Sequence, residues 1–94
     1  MDLIIPYVLS SDWKVAYREA KKLLESATFE KWGIEAEIKA ILKLKEIKAE
    51  GRGFTLLIKF EKSNCHAHLN LSSILRPLRR KILSEIENEL RKII

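Results

Sequence analysis

The period of apolar and polar positions changes several times along the chain, and each period implies an element. Residues 3–9, Leu-Ile-Ile-Pro-Tyr-Val-Leu, are almost continuously apolar and rich in Ile, Val and Tyr, which predicts a strand. Pro6 has no N–H to give to a ladder, so this strand belongs at a sheet edge or an irregular point. Ser10, Ser11 and Asp12 are all good helix N-caps. After them Trp13, Ala16, Tyr17, Ala20, Leu23, Leu24 and Ala27 recur at helical spacing, while Lys14, Arg18, Lys21 and Lys22 point elsewhere. The pattern predicts an amphipathic helix over roughly 11–29 that ends before Gly33.

From 34 to 44 the period falls to two. Ile34, Ala36, Ile38, Ala40, Leu42 and Leu44 share one face, and Glu35, Glu37, Lys39, Lys43 and Lys45 share the other, with Ile41 as the exception. Ile34, Ile38, Ile41 and Leu42 also fit a helix, but the unbroken alternation favours a strand. The phase slips by one after Lys45, to Ile47 and Ala49, which a β-bulge or strong bend near 45–46 would produce. Gly51-Arg52-Gly53 reads as a turn, then Phe54, Leu56, Ile58 and Phe60 alternate with Thr55, Leu57, Lys59 and Glu61. Lys62-Ser63-Asn64 is a second turn, followed by Cys65, Ala67, Leu69 and Leu71 against His66, His68 and Asn70. Ser72 and Ser73 open a last helix with the stripe Leu75, Leu78, Ile82, Ile86, Leu90 and Ile93; Pro77 confines its start to as late as Arg76.

The expected fold is therefore a single α+β domain spanning residues 1–94, a two-layer sandwich of order β-α-β-β-β-α. The antiparallel meander over 34–71 needs one covered face, and two amphipathic helices on that face supply the cover. The other face carries Glu, Lys, Thr, His and Asn, with Ile41 and Leu57 among them.

Composition narrows the function classes. Charged residues make up 33% of the chain, Gln is absent and Asn occurs three times, a balance resembling that of hyperthermophile proteins. The single Cys65 excludes an internal disulfide and suits a reducing compartment. No apolar run approaches the roughly 18 residues of a membrane span, and Met1–Trp13 lacks the basic lead of a signal peptide. Cytoplasmic residence without membrane contact is the expectation. The net charge of +5 favours acidic partners, RNA among them.

Few residues offer chemistry. His66 and His68 stand at i and i+2 of one strand and face the same way, so they are metal-ligand candidates, with Glu61, Glu35 or Glu37 as further donors. Solvated or interface histidines are the plainer expectation. Cys65 faces the opposite way and reads as a buried, inert thiol. No nucleophile elbow, P-loop or dinucleotide fingerprint occurs, so neither a catalytic residue nor a cofactor is expected. Arg76, Arg79, Arg80 and Lys81 crowd the start of the last helix, where the dipole disfavours cations. They are the nucleic-acid or anion-contact candidates, with Arg52 in the turn as an outlier; pairing with carboxylates of the sheet is the alternative. Leftover apolar surface on the sheet predicts self-association, as a homodimer or larger homo-oligomer, through Ile5, Tyr7, Ile41 and Leu57. Trp13 and Tyr17 belong to the core by their stripe position, and Trp32 to the helix–strand junction.

Two family resemblances join this reading. Ala16-Tyr17 with Leu23-Leu24, and Leu71-Ser72-Ser73-Ile74-Leu75-Arg76, resemble the small dimerising subunit of the KEOPS tRNA-modification complex. That resemblance implies a non-catalytic scaffolding role beside tRNA, in a complex with protein partners. Leu75-Arg76-Pro77-Leu78 through Lys81-Ile82 and Glu85, with the same element order, resembles short bacterial proteins of the polyhydroxyalkanoate granule system. That resemblance implies a topology and little chemistry.

Overall fold

A computed structural model describes residues 3–26 and 35–94. Its elements are β1 (Leu3–Pro6), α1 (Trp13–Glu25), β2 (Glu37–Ile41), β3 (Glu46–Gly51), β4 (Phe54–Phe60), β5 (Asn64–Leu71) and α2 (Arg79–Arg91). The five strands form one antiparallel sheet in the order β1-β5-β4-β3-β2. The fold is the expected α+β sandwich of an antiparallel sheet and two helices, with one more strand than the alternation over 34–49 suggests.

The extra strand comes from the slip after Lys45. A 3₁₀ turn at Leu42–Leu44 ends β2, and Lys45, at φ 55°, reverses the chain into β3. Ile41 then pairs with Glu46, and Ile38 with Ala49, so of the expected bulge or strong bend the structure has the bend, taken as far as a hairpin. Leu42 and Leu44 had extended the strand-like alternation, yet they are 57% and 58% exposed. Period two over-reads a strand when apolar residues stand on a turn.

Register puts one face inside. Ile5, Cys65, Phe60 and Ala67, Ile58, Ile47 follow one another across the sheet, and all are buried. They share one core with Ala16, Tyr17, Ala20 and Leu24 of α1 and with Ile82, Ile86 and Leu90 of α2. Burial of each large side chain contributes about 1.5–3 kcal/mol. Tyr17 sits edge-on between Trp13 and Phe60, with ring centroids at 6.4 and 5.5 Å, which locks α1 over β4.

Both helices are shorter than their stripes. Asp12 alone of the three candidate caps serves α1, its Oδ1 accepting from the Lys14 N–H at 2.9 Å and the Val15 N–H at 3.1 Å. The helix stops at Ser26, whose extended backbone cannot continue it; Ala27, Phe29 and Trp32 lie outside the described residues. A 3₁₀ turn, Arg76–Leu78, takes Pro77 and leads into α2.

β1 is also shorter than the apolar run of 3–9. Beyond Pro6 the N–H groups of Val8, Leu9 and Ser10 donate to the Ile94 main-chain oxygen just past α2, at 2.9, 2.9 and 3.0 Å. That inward turn of the backbone leaves Val8 and Leu9 exposed. Ile5, expected at an interface, is fully buried under the helices and belongs to the core. Ladder alternation explains the correction: with Ile4 opposite His66 on the open face, Ile5 must face inward opposite Cys65.

Candidate docking site

The four cations at the entry to α2, Arg76 in the 3₁₀ turn and Arg79, Arg80 and Lys81 in the helix, do not act as one group. Arg79 Nη1 donates to the Leu69 carbonyl at 2.9 Å in a part-buried setting, tying α2 to β5. Arg76, Arg80 and Lys81 are exposed. The first turn of α2 holds no acidic side chain, and Leu78 offers no side-chain cap. Arg52 stands at the β3–β4 turn, near the same end: Ser72 N–H donates to the Gly53 carbonyl at 2.8 Å, stitching that turn to the segment entering α2.

The histidines face the open side of the sheet. His66 lies opposite Lys59 and Ile4, and His68 opposite Leu57. Glu37 lies three strand spacings away, about 14 Å, on β2. Among the described residues no group of three or more His, Cys, Asp or Glu side chains is arranged to hold a metal. Leu57 floors a shallow depression of about 360 Å³ with Lys48, Thr55, His68 and Asn70. The Lys48 ammonium there is held by Glu50 at 2.6 Å, and that contact lowers the Glu50 pKa. Lys59 likewise pairs with Glu46 at 3.7 Å.

Cys65 lies under the helices, and burial pushes its thiol up to about 11. So buried and protonated a group is a poor nucleophile. Tyr7, an interface candidate, is half-buried, and its hydroxyl donates to the Glu61 carbonyl at 2.8 Å. Burial is the main reason its phenol is held well above the usual range, with Cys65 and Glu61 adding to it.

A different surface gathers more unusual features. The β2–β3 turn presents three large aliphatic side chains in close succession, Ile41, Leu42 and Leu44, exposed by 45%, 57% and 58%. The turn is fixed at both ends: Lys45 N–H donates to the Leu42 carbonyl at 3.0 Å, and Phe60 N–H to the Lys45 carbonyl at 2.8 Å. Lys45 reaches α1, its Nζ 4.9 Å from the centre of the Trp13 ring, with Lys14 Nζ at 6.0 Å. Beside the turn, Lys14, Tyr17, Arg18 and Lys21 of α1 line a groove of about 280 Å³ with Leu42. The Tyr17 phenol is raised by burial and then by the charge of Glu25.

Sequence reasoning set these cations aside as the solvated faces of a helix and a strand. The signal was present in the alternation Leu42-Lys43-Leu44-Lys45 and in the i, i+4, i+7 spacing of Lys14, Arg18 and Lys21. The missing piece was the chain reversal that brings the two together.

Compared with family models, with curated proteins and with solved structures, the chain matches none of them. Among the described residues no helix is long and apolar enough to cross a membrane.

Proposed function

We propose that the protein is a non-enzymatic assembly module that docks a partner protein through its β2–β3 turn. The observation carrying this reading is the trio Ile41, Leu42 and Leu44, held out on a turn anchored by two backbone hydrogen bonds, Lys45 N–H to Leu42 and Phe60 N–H to Lys45. Covering each half-exposed side chain contributes roughly 1 kcal/mol, half the value of full burial. Three together supply an anchor of about 3 kcal/mol, enough to matter and too little to bind alone. Lys43 and Lys45 surround the anchor, so two copies meeting turn to turn would set like charges together.

The test is capture of partners from the source cells by wild type and by Leu42→Ser/Leu44→Ser, each with and without nuclease. One partner protein retained by wild type, lost by the variant and indifferent to nuclease supports the reading. Equal capture by both proteins removes the turn from the account, and release by nuclease replaces it with RNA binding through Arg76, Arg80, Lys81 and Arg52.

Self-association is a second reading, favoured by β2 standing at the end of the strand order with Ile41 on its open face. Light scattering at micromolar concentration separates the two: the docking reading gives a monomer, self-association a dimer or larger.

A further inference from the structure

We propose that the groove between α1 and the β2–β3 turn takes an acidic segment of the partner, with carboxylates on Lys14, Arg18 and Lys21 and an aliphatic side chain over Leu42. This rests on the docking reading and gives it a partner class.

Three observations carry the proposal. First, the three cations stand at i, i+4 and i+7 of α1, a stretch of about 10 Å along one face. Glu19, the one acidic side chain between them in sequence, is engaged with Lys22 at 3.7 Å, and Glu25, whose charge reaches Tyr17, stands a turn beyond Lys21 at the far end of the row. Lys43 and Lys45 extend the same sign across the turn. A row of like charges lowers the chain's own stability and gains only when a partner of opposite sign arrives.

Second, the groove is not purely polar. Leu42 and Tyr17 line it between the cations, so the occupant must bring an apolar side chain as well as carboxylates. A polyanion without such a side chain leaves Leu42 uncovered.

Third, the aromatic surface that a nucleic acid would use is occupied. Trp13 carries the Lys45 ammonium at 4.9 Å and the Lys14 ammonium at 6.0 Å, and Tyr17 is 8% exposed. Single-stranded nucleic acids gain much of their affinity by stacking bases on open aromatic faces. Tyr17, the ring that lines the groove, offers no open face, and Trp13 near it already carries ammonium groups, which favours a peptide over RNA.

The experiment titrates four fluorescent probes with the full chain: twelve-residue peptides repeating Glu-Glu-Leu, Lys-Lys-Leu or Ser-Ser-Leu, and a twelve-nucleotide oligouridine. The proteins are wild type, Lys14→Ala/Arg18→Ala, Leu42→Ser, and Arg80→Ala/Lys81→Ala, which lies outside the groove. All the changed side chains except Arg80 and Lys81 line the groove and none is in the buried core, and circular dichroism checks each fold. The expected result is that only the Glu-Glu-Leu peptide binds the groove. Its affinity falls at least tenfold in Lys14→Ala/Arg18→Ala and severalfold in Leu42→Ser, and stays within twofold in Arg80→Ala/Lys81→Ala.

Equal weakening by the Arg80/Lys81 pair, or indifference to Leu42→Ser, reduces the effect to bulk charge and overturns the proposal. Tighter, groove-dependent binding of oligouridine overturns it in favour of RNA. Leu44→Ser, on the turn outside the groove, separates the two failures. If it abolishes partner capture while the groove variants bind the acidic peptide like wild type, docking stands and the acidic class falls. If the groove variants lose the peptide while capture ignores Leu44→Ser, the acidic groove stands and Leu44 drops out of the docking reading.

Discussion

Gly53 shows how one residue can be fixed by two independent constraints. Its φ is +73°, and a Cβ there would lie 2.6 Å from Ser72 Oγ. Gly53→Ala is expected to cost about 1–2 kcal/mol for the backbone alone, and more for the clash, by urea denaturation. Adding Ser72→Ala should restore part of the clash component, since the Cβ of residue 72 would still lie 3.0 Å away, and should leave the backbone cost. Arg79 and Arg80 make a second contrast between neighbours. Arg79→Ala strips the Leu69 carbonyl of a charged donor and should lose about 1.5–3 kcal/mol, whereas Arg80→Ala should stay within about 0.5 kcal/mol. Equal effects in thermal melts would refute the distinction.

Cys65 links a single side chain to pH. Its folded pKa, about 11, lies above its ordinary value of 9.0. The folded state therefore keeps a proton that the unfolded state releases first. The stabilisation is complete below about pH 9 and is lost as pH rises towards 11, on the order of 2 kcal/mol in all. Cys65→Ala should lower stability at neutral pH by its lost packing and flatten that alkaline decline. Denaturation curves from pH 7 to 11 that remain parallel for the two proteins would contradict the assignment. Tyr7, raised in the same direction, leaves a remaining slope.

At the scale of elements, local chemistry made most of the fold legible. The α1 stripe from Trp13 to Leu24, the Gly51–Gly53 turn and the alternation of β4 and β5 act mainly through neighbours in sequence, and these elements stand where the pattern puts them, although α1 is shorter than its stripe. Asp12→Ala should cost about 1 kcal/mol and loosen the first turn of α1, seen as faster amide exchange at Lys14 and Val15. The segment 34–51 misleads because Leu42 and Leu44 continue a period of two through a turn. Ile5 misleads because an almost continuously apolar run does not say which of its residues face inward. Register supplies that answer, and register depends on β5, sixty residues away. The candidate site was illegible for the same reason: Lys45 meets Trp13 only after the chain reverses.

For the whole molecule, the two layers divide the work. The sheet's open face neutralises itself through Lys48–Glu50 and Lys59–Glu46, and so offers little net charge to a partner. The helix layer next to the β2–β3 turn keeps its cations for use. Binding there should weaken steadily as salt rises, whereas folding stability should respond only slightly, since exposed pairs contribute about 0–1 kcal/mol each. A parallel loss of both between 50 mM and 500 mM salt would mean that the cations serve the fold instead.

The three amides of Val8, Leu9 and Ser10 converging on Ile94 have a consequence for how the molecule opens. β1 and α2 stand far apart in sequence, yet neither can detach without orphaning donors or an acceptor that belong to the other. The beginning and the end of this fold thus behave as a clasp. Deuterium should enter those three amides at the rate of global unfolding, although they sit in a loop that by position alone would exchange first.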